Sequence, residues 1–213
     1  MKYKCIIFDC DGVLVDSERT TISVIVDMAK RVGFEMDLEE AILEFSGQSI
    51  QYCFEYISAR STEPLTDAAI PEFRERTFQA YKKDLKAIPG IRELLMRLKG
   101  PRCVASNAPI SKIELNLGIL QLTDFFDGNL FSAYQVQKWK PEPDLFLFAA
   151  DKMGFKPSEC AVIEDSLAGV QAAKAGGFDV FGYASQRTEE KLAAAGATVF
   201  YDMNRLDDLL NAQ

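Results

Sequence analysis

The residues after position 90 alternate short apolar runs with stretches of helical spacing, and this alternation restricts the fold more than any other feature. The apolar runs predict strands, and residues 4–8 predict another near the start of the chain. Strands that alternate with helices form parallel sheets, because each return needs a crossover. We therefore predict an α/β fold with a Rossmann-like parallel sheet and helices on both faces. The later strands are expected at residues 102–105, 130–132, 160–164, 179–183 and 198–201.

Residues 17–87 have a different character. Several stretches there show helical spacing, and one of them begins near Pro71, which is acceptable in the first turn of a helix. No run in this segment predicts a strand. We expect a helical cap domain at residues 17–87, inserted into a core domain that consists of residues 1–16 and 88–213.

The charge balance and the lack of histidine narrow the possible functions. Lys and Arg number 24 against 32 Asp and Glu, a formal charge of −8, which argues against nucleic acid or an anionic membrane as the main partner. The chain contains no histidine, which excludes Ser-His and Cys-His nucleophile pairs and His-bound metals. Acid–base chemistry near neutral pH then falls to carboxylates, Lys, Tyr, Cys or metal-bound water.

Apolar runs and cysteines suggest a compartment. No run is long enough to cross a bilayer, and the apolar stretch at residues 4–8 is too short for the core of a signal peptide. The 5 cysteines are odd in number and show no C-x-x-C spacing, as is typical of free thiols in a reducing environment. We expect a cytoplasmic protein, with a monomer as the default.

Polar residues follow four of the predicted strands. Asp9 follows the first, Ser106 and Asn107 the second, and Asp165 the fourth, while the loop after the third carries Lys140. Ligands of such sheets bind at the carboxyl ends of the strands. The sequence therefore predicts one polar site at this edge.

Each of these clusters also has an ordinary structural explanation. "DCDG" is compatible with a simple Asp-Gly turn, but not with an EF-hand loop, because Gly12 is fourth after Asp9 and Thr20 occupies the twelfth place. "ASNAP" and "IEDSLAG" are compatible with helix caps, and "KWKPEPD" with a solvated turn. The functional alternatives are an anion site at a helix N-terminus, metal ligation, and a cation for a phosphoryl oxygen.

Together, the motifs "DCDGVLVD", "SN", "KPEPD" and "EDS" resemble those of the haloacid dehalogenase-like superfamily of phosphohydrolases, in the same order and over nearly the whole chain. The helical insert after the first motif resembles the subgroup with a helical cap. The stretch "AYQVQKWKPEPDLF" is similar to bacterial sugar-phosphate phosphatases, including those acting on 6-phosphogluconate. The resemblance implies a Mg²⁺-dependent phosphatase for a small phosphorylated metabolite, which forms an aspartyl-phosphate.

The resemblance also implies roles for individual residues. Asp9 would be the nucleophile, and Asp11 would protonate the leaving alcohol and then deprotonate water. The transferring phosphoryl group would be bound by Ser106, Asn107 and Lys140. The metal would be held by Asp9, the backbone carbonyl of Asp11, and Asp165, with Glu164 in contact directly or through water.

Two segments of the insert are candidates for substrate selectivity. The "FSGQS" loop at residues 45–49 resembles the substrate-specificity loop of the family, so that Gly47 and Gln48 would line the pocket. Arg19 would contact the leaving group from the start of the first cap helix. An ordinary turn between helices and a solvated helix start explain these residues about as well.

Four alternatives differ from a phosphatase in class or in chemistry. Dehalogenases and phosphonate hydrolases of the superfamily lack the second aspartate of the first motif, so Asp11 argues against both. A sugar-phosphate mutase resembling β-phosphoglucomutase shares all four motifs, but those mutases use a cap histidine that this chain does not have. A non-catalytic regulatory protein on the same scaffold is the fourth, and four residues that such proteins can lose argue against it by their presence: Asp9, Asp11, Lys140 and Asp165.

Overall fold

The computed structural model describes residues 2–46 and 48–212, and the chain divides into two compact units. One unit is Asp16–Lys86, and the other consists of Met1–Val15 with Ala87–Gln213. Each of the two boundaries between the units lies one residue before the predicted one. We call them the helical unit and the core unit.

The core unit is built on a six-stranded sheet in which all assigned strand pairs are parallel. Its strand order is β5-β4-β1-β6-β7-β8. Two very short strands, β2 and β3, pair separately. The strands are β1 (Cys5–Phe8), β2 (Val15–Asp16), β3 (Lys86–Ala87), β4 (Arg102–Ser106), β5 (Leu130–Ser132), β6 (Cys160–Glu164), β7 (Asp179–Tyr183) and β8 (Thr198–Phe200).

Strand β1 lies between β4 and β6, which places the carboxyl ends of these three strands side by side. Phe8 is opposite Val104 on one side and Ile163 on the other, and the amide of Asp9 donates to the carbonyl of Ile163 at 2.9 Å. The register therefore places Asp9 beside the end of β6. This is the sheet edge at which the sequence predicts a polar site.

Helices flank the sheet and cover its buried strands, which confirms the predicted class. The eleven α-helices in the described part of the chain are α1 (Ser17–Arg31), α2 (Leu38–Phe45), α3 (Ile50–Ser58), α4 (Ile70–Asp84), α5 (Ile91–Arg97), α6 (Ile110–Ile119), α7 (Ala133–Val136), α8 (Asp144–Met153), α9 (Leu167–Ala175), α10 (Glu189–Ala194) and α11 (Leu206–Asn211).

An apolar core lies between the sheet and helices α8 and α9. Helix α8 packs on β1 and β4, and α9 packs on β7. Phe146 of α8 meets Phe178 edge-on, with ring centroids 6.1 Å apart, and both side chains are fully buried. Burial of one such side chain contributes about 1.5–3 kcal/mol. This packing holds the loops at the carboxyl ends of the strands on a rigid base.

The helical unit contains α1 to α4 and has its own apolar cluster. Ile25, Phe45 and Ile57 come from three of its helices and are buried together. Asp37 and Ser49 cap α2 and α3, because each side chain accepts a hydrogen bond from a backbone amide of the first turn. The expectation of no strand in this segment is wrong at its end, where Lys86–Ala87 forms β3. That strand is too short for a visible alternation of apolar residues.

Two further properties concern the whole chain. All five cysteines are buried free thiols, and Cys5 of β1 is opposite Cys160 of β6 in the sheet. Among the described residues, no helix has both the length and the apolar character needed to span a membrane.

Candidate active site

The ammonium group of Lys140 gathers residues from three segments of the core unit. Nζ donates to Oδ1 of Asp9, to Oε1 of Glu164 at 2.7 Å, and to the carbonyl of Ala105 at 3.1 Å. An ammonium has three protons, so these partners satisfy all of them. The side chains of Lys140, Asp9 and Glu164 are 4%, 10% and 1% exposed. A buried lysine therefore links the carboxyl ends of β1, β4 and β6.

Burial dominates the electrostatics of this cluster. Burial raises the pKa of Asp9 to about 7, and the carboxylates of Glu164 and Asp11 also raise it. The Lys140 ammonium lowers this pKa, but by less than the other groups raise it. Burial opposes the charge of Lys140, but Asp9 and Glu164 outweigh it, so the pKa of Lys140 is above its ordinary value. Lys140 therefore stays positive, and one cation faces two carboxylates. Further positive charge would stabilise this group.

Glu164 is held at both of its oxygens. Oε1 accepts from Lys140, whereas Oε2 accepts from the amides of Asp165 and Ser166 at 3.0 and 2.9 Å and from the Ser166 hydroxyl at 2.9 Å. A Cβ on Gly169 would lie 1.8 Å from Oε1, so only glycine leaves room for this carboxylate. Glu164 therefore fixes the position of Lys140, and its ligation of a metal stays a prediction.

Asp165 lies against the turn that follows Asp9. Gly12 has φ +86°, and a Cβ there would lie 2.0 Å from Oδ2 of Asp165. The turn is closed by the Gly12 amide, which donates to the carbonyl of Val15 at 2.8 Å. Glycine is thus required at position 12 both for its backbone conformation and for the close approach of a carboxylate.

Asp11 in the same turn pairs with a residue that sequence reasoning missed. Nζ of Lys112 donates to Oδ2 of Asp11 at 2.9 Å, and both side chains are about one-third exposed. Lys112 is 101 positions away in the sequence and lies outside the recognised motifs. Nothing in the spacing of the sequence indicates this pair.

Ser106 and Asn107 lie at the end of β4 and hold the neighbouring loops in place. The Ser106 hydroxyl accepts from the amide of Ala108 at 3.1 Å, and Oδ1 of Asn107 accepts from the amide of Lys140 at 3.0 Å. Ser132 at the end of β5 donates to the carbonyl of Ala108 at 2.6 Å. Asn107 thus ties the second motif to the third. Phosphate binding by Ser106 and Asn107 stays a prediction.

Arg19 and Gln48 belong to the helical unit. Nη2 of Arg19 donates to Oε1 of Glu39 at 2.6 Å on an exposed surface. The amide of Gln48 donates to the carbonyl of Phe45 at 3.0 Å. Gly47, the other residue predicted to line the pocket, lies outside the described residues. Selectivity from this loop stays a prediction.

The oxygen donors suit a hard cation, although no ready-made cluster of side chains is present. Within residues 2–46 and 48–212, no three His, Cys, Asp or Glu side chains form a group that could hold a metal. Lys140 engages Oδ1 of Asp9 and Oε1 of Glu164. Asp9, Asp165 and the backbone carbonyl of Asp11 remain as hard donors on one turn and the facing loop, and Gly12 allows Asp165 to approach. These residues fit Mg²⁺.

Comparison with known proteins identifies the family. The model for haloacid dehalogenase-like hydrolases matches residues 3–177. The chain belongs to this family. It is 30% identical over 213 residues to the 6-phosphogluconate phosphatase of Escherichia coli (strain K12), with 100% of this chain and 96% of that protein covered.

Solved structures of the family have the same fold. A haloacid dehalogenase-like hydrolase from Deinococcus radiodurans R1, with bound phosphate and sodium, has a TM-score of 0.87 at 28% identity and covers 99% of this chain and 96% of its own. A Thermotoga maritima protein provisionally named a β-phosphoglucomutase has a TM-score of 0.84 at 25% identity and covers 98% and 99%. These findings confirm the predicted family, the fold and the phosphatase class.

Proposed function

We propose that this chain is a Mg²⁺-dependent phosphatase that hydrolyses a small sugar or sugar-acid phosphate through an aspartyl-phosphate on Asp9. The observation that carries the proposal is the buried Asp9 at the end of β1, held by the Lys140 ammonium. The relative named as a 6-phosphogluconate phosphatase, which this chain matches over its full length, supports the substrate class. We place the reaction in the cytoplasm, because the five cysteines are free thiols.

Asp9 attacks the phosphorus atom, so that a bond from its carboxylate oxygen forms while the bond to the leaving oxygen breaks. The hydrogen bond from Lys140 fixes the carboxylate in one orientation before the attack. Lys140, Ser106 and Asn107 then bind the oxygens of the transferring group. Ser106 and Asn107 lie at the end of β4, and Lys140 contacts the carboxyl ends of β1, β4 and β6, which supports this role.

Asp11 carries the proton. It gives a proton to the leaving oxygen as the aspartyl-phosphate forms, and it takes one from water as that intermediate is hydrolysed. Asp11 follows Asp9 by two residues on the turn that Gly12 closes. The same carboxyl group therefore serves both halves of the reaction.

Mg²⁺ would be held by Asp9, Asp165 and the backbone carbonyl of Asp11. Glu164 would support this site, because it accepts hydrogen bonds from Lys140 and from the amide of Asp165. When bound, the ion supplies positive charge that lets an anionic nucleophile approach an anionic ester. The neighbour that contains phosphate and a cation supports a combined site. The helical unit would act as the cap that selects the leaving group.

A phosphate-release assay over hexose, hexitol and sugar-acid phosphates tests the proposal. We expect turnover that stops with a chelator and returns with Mg²⁺, and we expect Asp9→Asn to abolish both turnover and the phosphorylated protein. Asp179→Asn is the control, because this aspartate pairs with Lys2 on the surface at the start of β7. Full activity without metal, or in Asp9→Asn, contradicts the proposal.

The likeness to the Thermotoga maritima protein keeps a sugar-phosphate mutase as the second candidate. The two reactions have different products, since a phosphatase releases inorganic phosphate whereas a mutase returns an isomeric sugar phosphate. Phosphorus NMR of one reaction mixture distinguishes them. We expect inorganic phosphate, because the chain lacks the histidine that those mutases use.

A further inference from the structure

Lys112 occupies a position that helix stability alone does not favour. It is the third residue of α6, in a first turn that contains no acidic residue. A cation near a helix N-terminus opposes the helix dipole, by about 0.3–1 kcal/mol at exposed sites. A residue that destabilises its own helix without a compensating contact within that helix is expected to act through a contact outside it. For Lys112, that function lies in its contact with Asp11.

Hydrogen bonds hold the start of α6 and thereby fix the position of Lys112. The Ala108 amide bonds to Ser106 and its carbonyl to Ser132, as described above. Pro109 caps the helix, and its carbonyl accepts from the amide of Lys112 at 3.0 Å. The lysine is therefore anchored to the ends of β4 and β5, while its ammonium reaches the turn after β1.

The contact with Lys112 distinguishes the two carboxyl oxygens of Asp11. Nζ of Lys112 is 2.9 Å from Oδ2, and an ammonium can only donate. Oδ2 of Asp11 therefore accepts from Lys112. The proton transfer of the proposed reaction uses the other oxygen: the O–H bond at Oδ1 breaks as the O–H bond of the leaving alcohol forms.

We propose that Lys112 is a positioning residue for the general acid: it holds Oδ2 of Asp11 so that Oδ1 faces the leaving oxygen. The inference rests on the proposed function, because it needs Asp11 to be the acid. A general acid must lie within about 2.6–3.2 Å of the atom that it protonates, so one lost contact weakens proton transfer selectively.

Selective loss of proton transfer has a measurable form. Phenyl phosphate and p-nitrophenyl phosphate are similar in size, but phenolate is much the more basic leaving group and needs the proton more. General acids contribute about 10²–10⁴-fold, and we expect Lys112→Met to lose about tenfold in kcat/KM on phenyl phosphate and less than about twofold on p-nitrophenyl phosphate. Lys112→Arg, which keeps the donor, should restore most of the loss.

The matched control is Lys4→Met. Lys4 also pairs with a carboxylate, Glu159, at 2.6 Å in the core unit, but it precedes β1 whereas Asp9 follows it. We expect Lys4→Met to leave both esters unaffected. Thermal melts of all variants will test whether folding is intact.

Asp11→Asn separates the two possible failures. If Asp11→Asn loses far more on phenyl phosphate than on p-nitrophenyl phosphate but Lys112→Met loses equally on both, or on neither, the positioning role is wrong and the proposed function stands. If Asp11→Asn itself reduces both esters equally, Asp11 is not the acid, and the proposed roles fail together with the inference.

Discussion

The cluster around Lys140 and the ion pair of Arg19 both join a cationic side chain to carboxylates, but they differ in exposure to solvent. Lys140, Asp9 and Glu164 have side chains that are 4%, 10% and 1% exposed. Arg19 and Glu39 of the helical unit are 2.6 Å apart, but their side chains are 46% and 67% exposed. The first arrangement is deprived of water, and the second is surrounded by it.

This difference in exposure determines how much the loss of one charged group destabilises its partners. A buried charge that loses its partner keeps its desolvation cost, so the remaining groups are strongly destabilised. An exposed charge that loses its partner is solvated by water instead. We therefore expect substitutions in the Lys140 cluster to affect both stability and activity, and substitutions at Arg19 to affect neither folding nor phosphoryl transfer itself.

The largest effect is expected for Lys140→Met. The substitution leaves Asp9 and Glu164 buried without their shared cation, and breaking such a pair costs about 3–5 kcal/mol. Activity should fall to background, as phosphate release will show, and urea unfolding will give the stability. Lys138→Met is the control, because Lys138 pairs with Asp144 at the surface only two positions earlier. If Lys138→Met lost as much stability and activity as Lys140→Met, burial of the Lys140 cluster would not be the cause of the loss.

Gly169→Ala should have the next largest effect. The new methyl group would lie 1.8 Å from Oε1 of Glu164 and would force this carboxylate away from Lys140. Overpacking of this kind costs about 1–3 kcal/mol. We also expect a fall in kcat.

The matched control for that change is Gly118→Ala. Gly118 lies inside α6, and a Cβ there meets nothing within 4 Å. Alanine is the better helix former by about 0.5–1 kcal/mol, so this variant should be more stable. A loss of stability in both glycine variants would show that the contact with Glu164 is not the cause.

Gln48→Ala tests the helical unit through selectivity. If this unit contacts the leaving group, we expect the variant to change the order of kcat/KM among sugar phosphates, by a factor of about 10 where one hydrogen bond to a substrate hydroxyl is lost. Hydrolysis of acetyl phosphate should stay the same, because its leaving group is small. Arg19→Ala is the second variant for the same measurement. An equal fall on sugar phosphates and acetyl phosphate would disprove the selective role.

The smallest effect is expected for Glu39→Gln. It removes the exposed partner of Arg19, and exposed pairs contribute about 0.2–1 kcal/mol. The melting temperature should therefore change by no more than about 2–4 °C for a chain of this length. A shift as large as that of Lys140→Met would remove the contrast between the two regions.

The sequence predicts the fold because periodicity and strand ends are local features. Asp9 and Asp165 directly follow strands, and the pattern of apolar runs is enough to place them at one sheet edge. The roles of Gly169 and Lys112 could not be predicted in the same way. Gly169 matters through a contact with the side chain of Glu164, and Lys112 through a partner 101 positions away, so neither depends on local spacing. The local signals are a glycine near the start of α9 and a lysine in the first turn of α6, because each is unfavourable at its position.

The buried cysteines make the protein convenient to label. Burial raises the pKa of Cys53 to about 11 and that of Cys10 well above its ordinary value, whereas only an exposed thiolate attacks a thiol reagent readily. Because all five native thiols are buried, a maleimide dye should react slowly with each of them. Glu63→Cys in the helical unit and Lys99→Cys in the core unit would place reactive thiols at exposed positions. A donor and an acceptor dye at these two positions would report the distance between the units by fluorescence during turnover, without removal of any native cysteine.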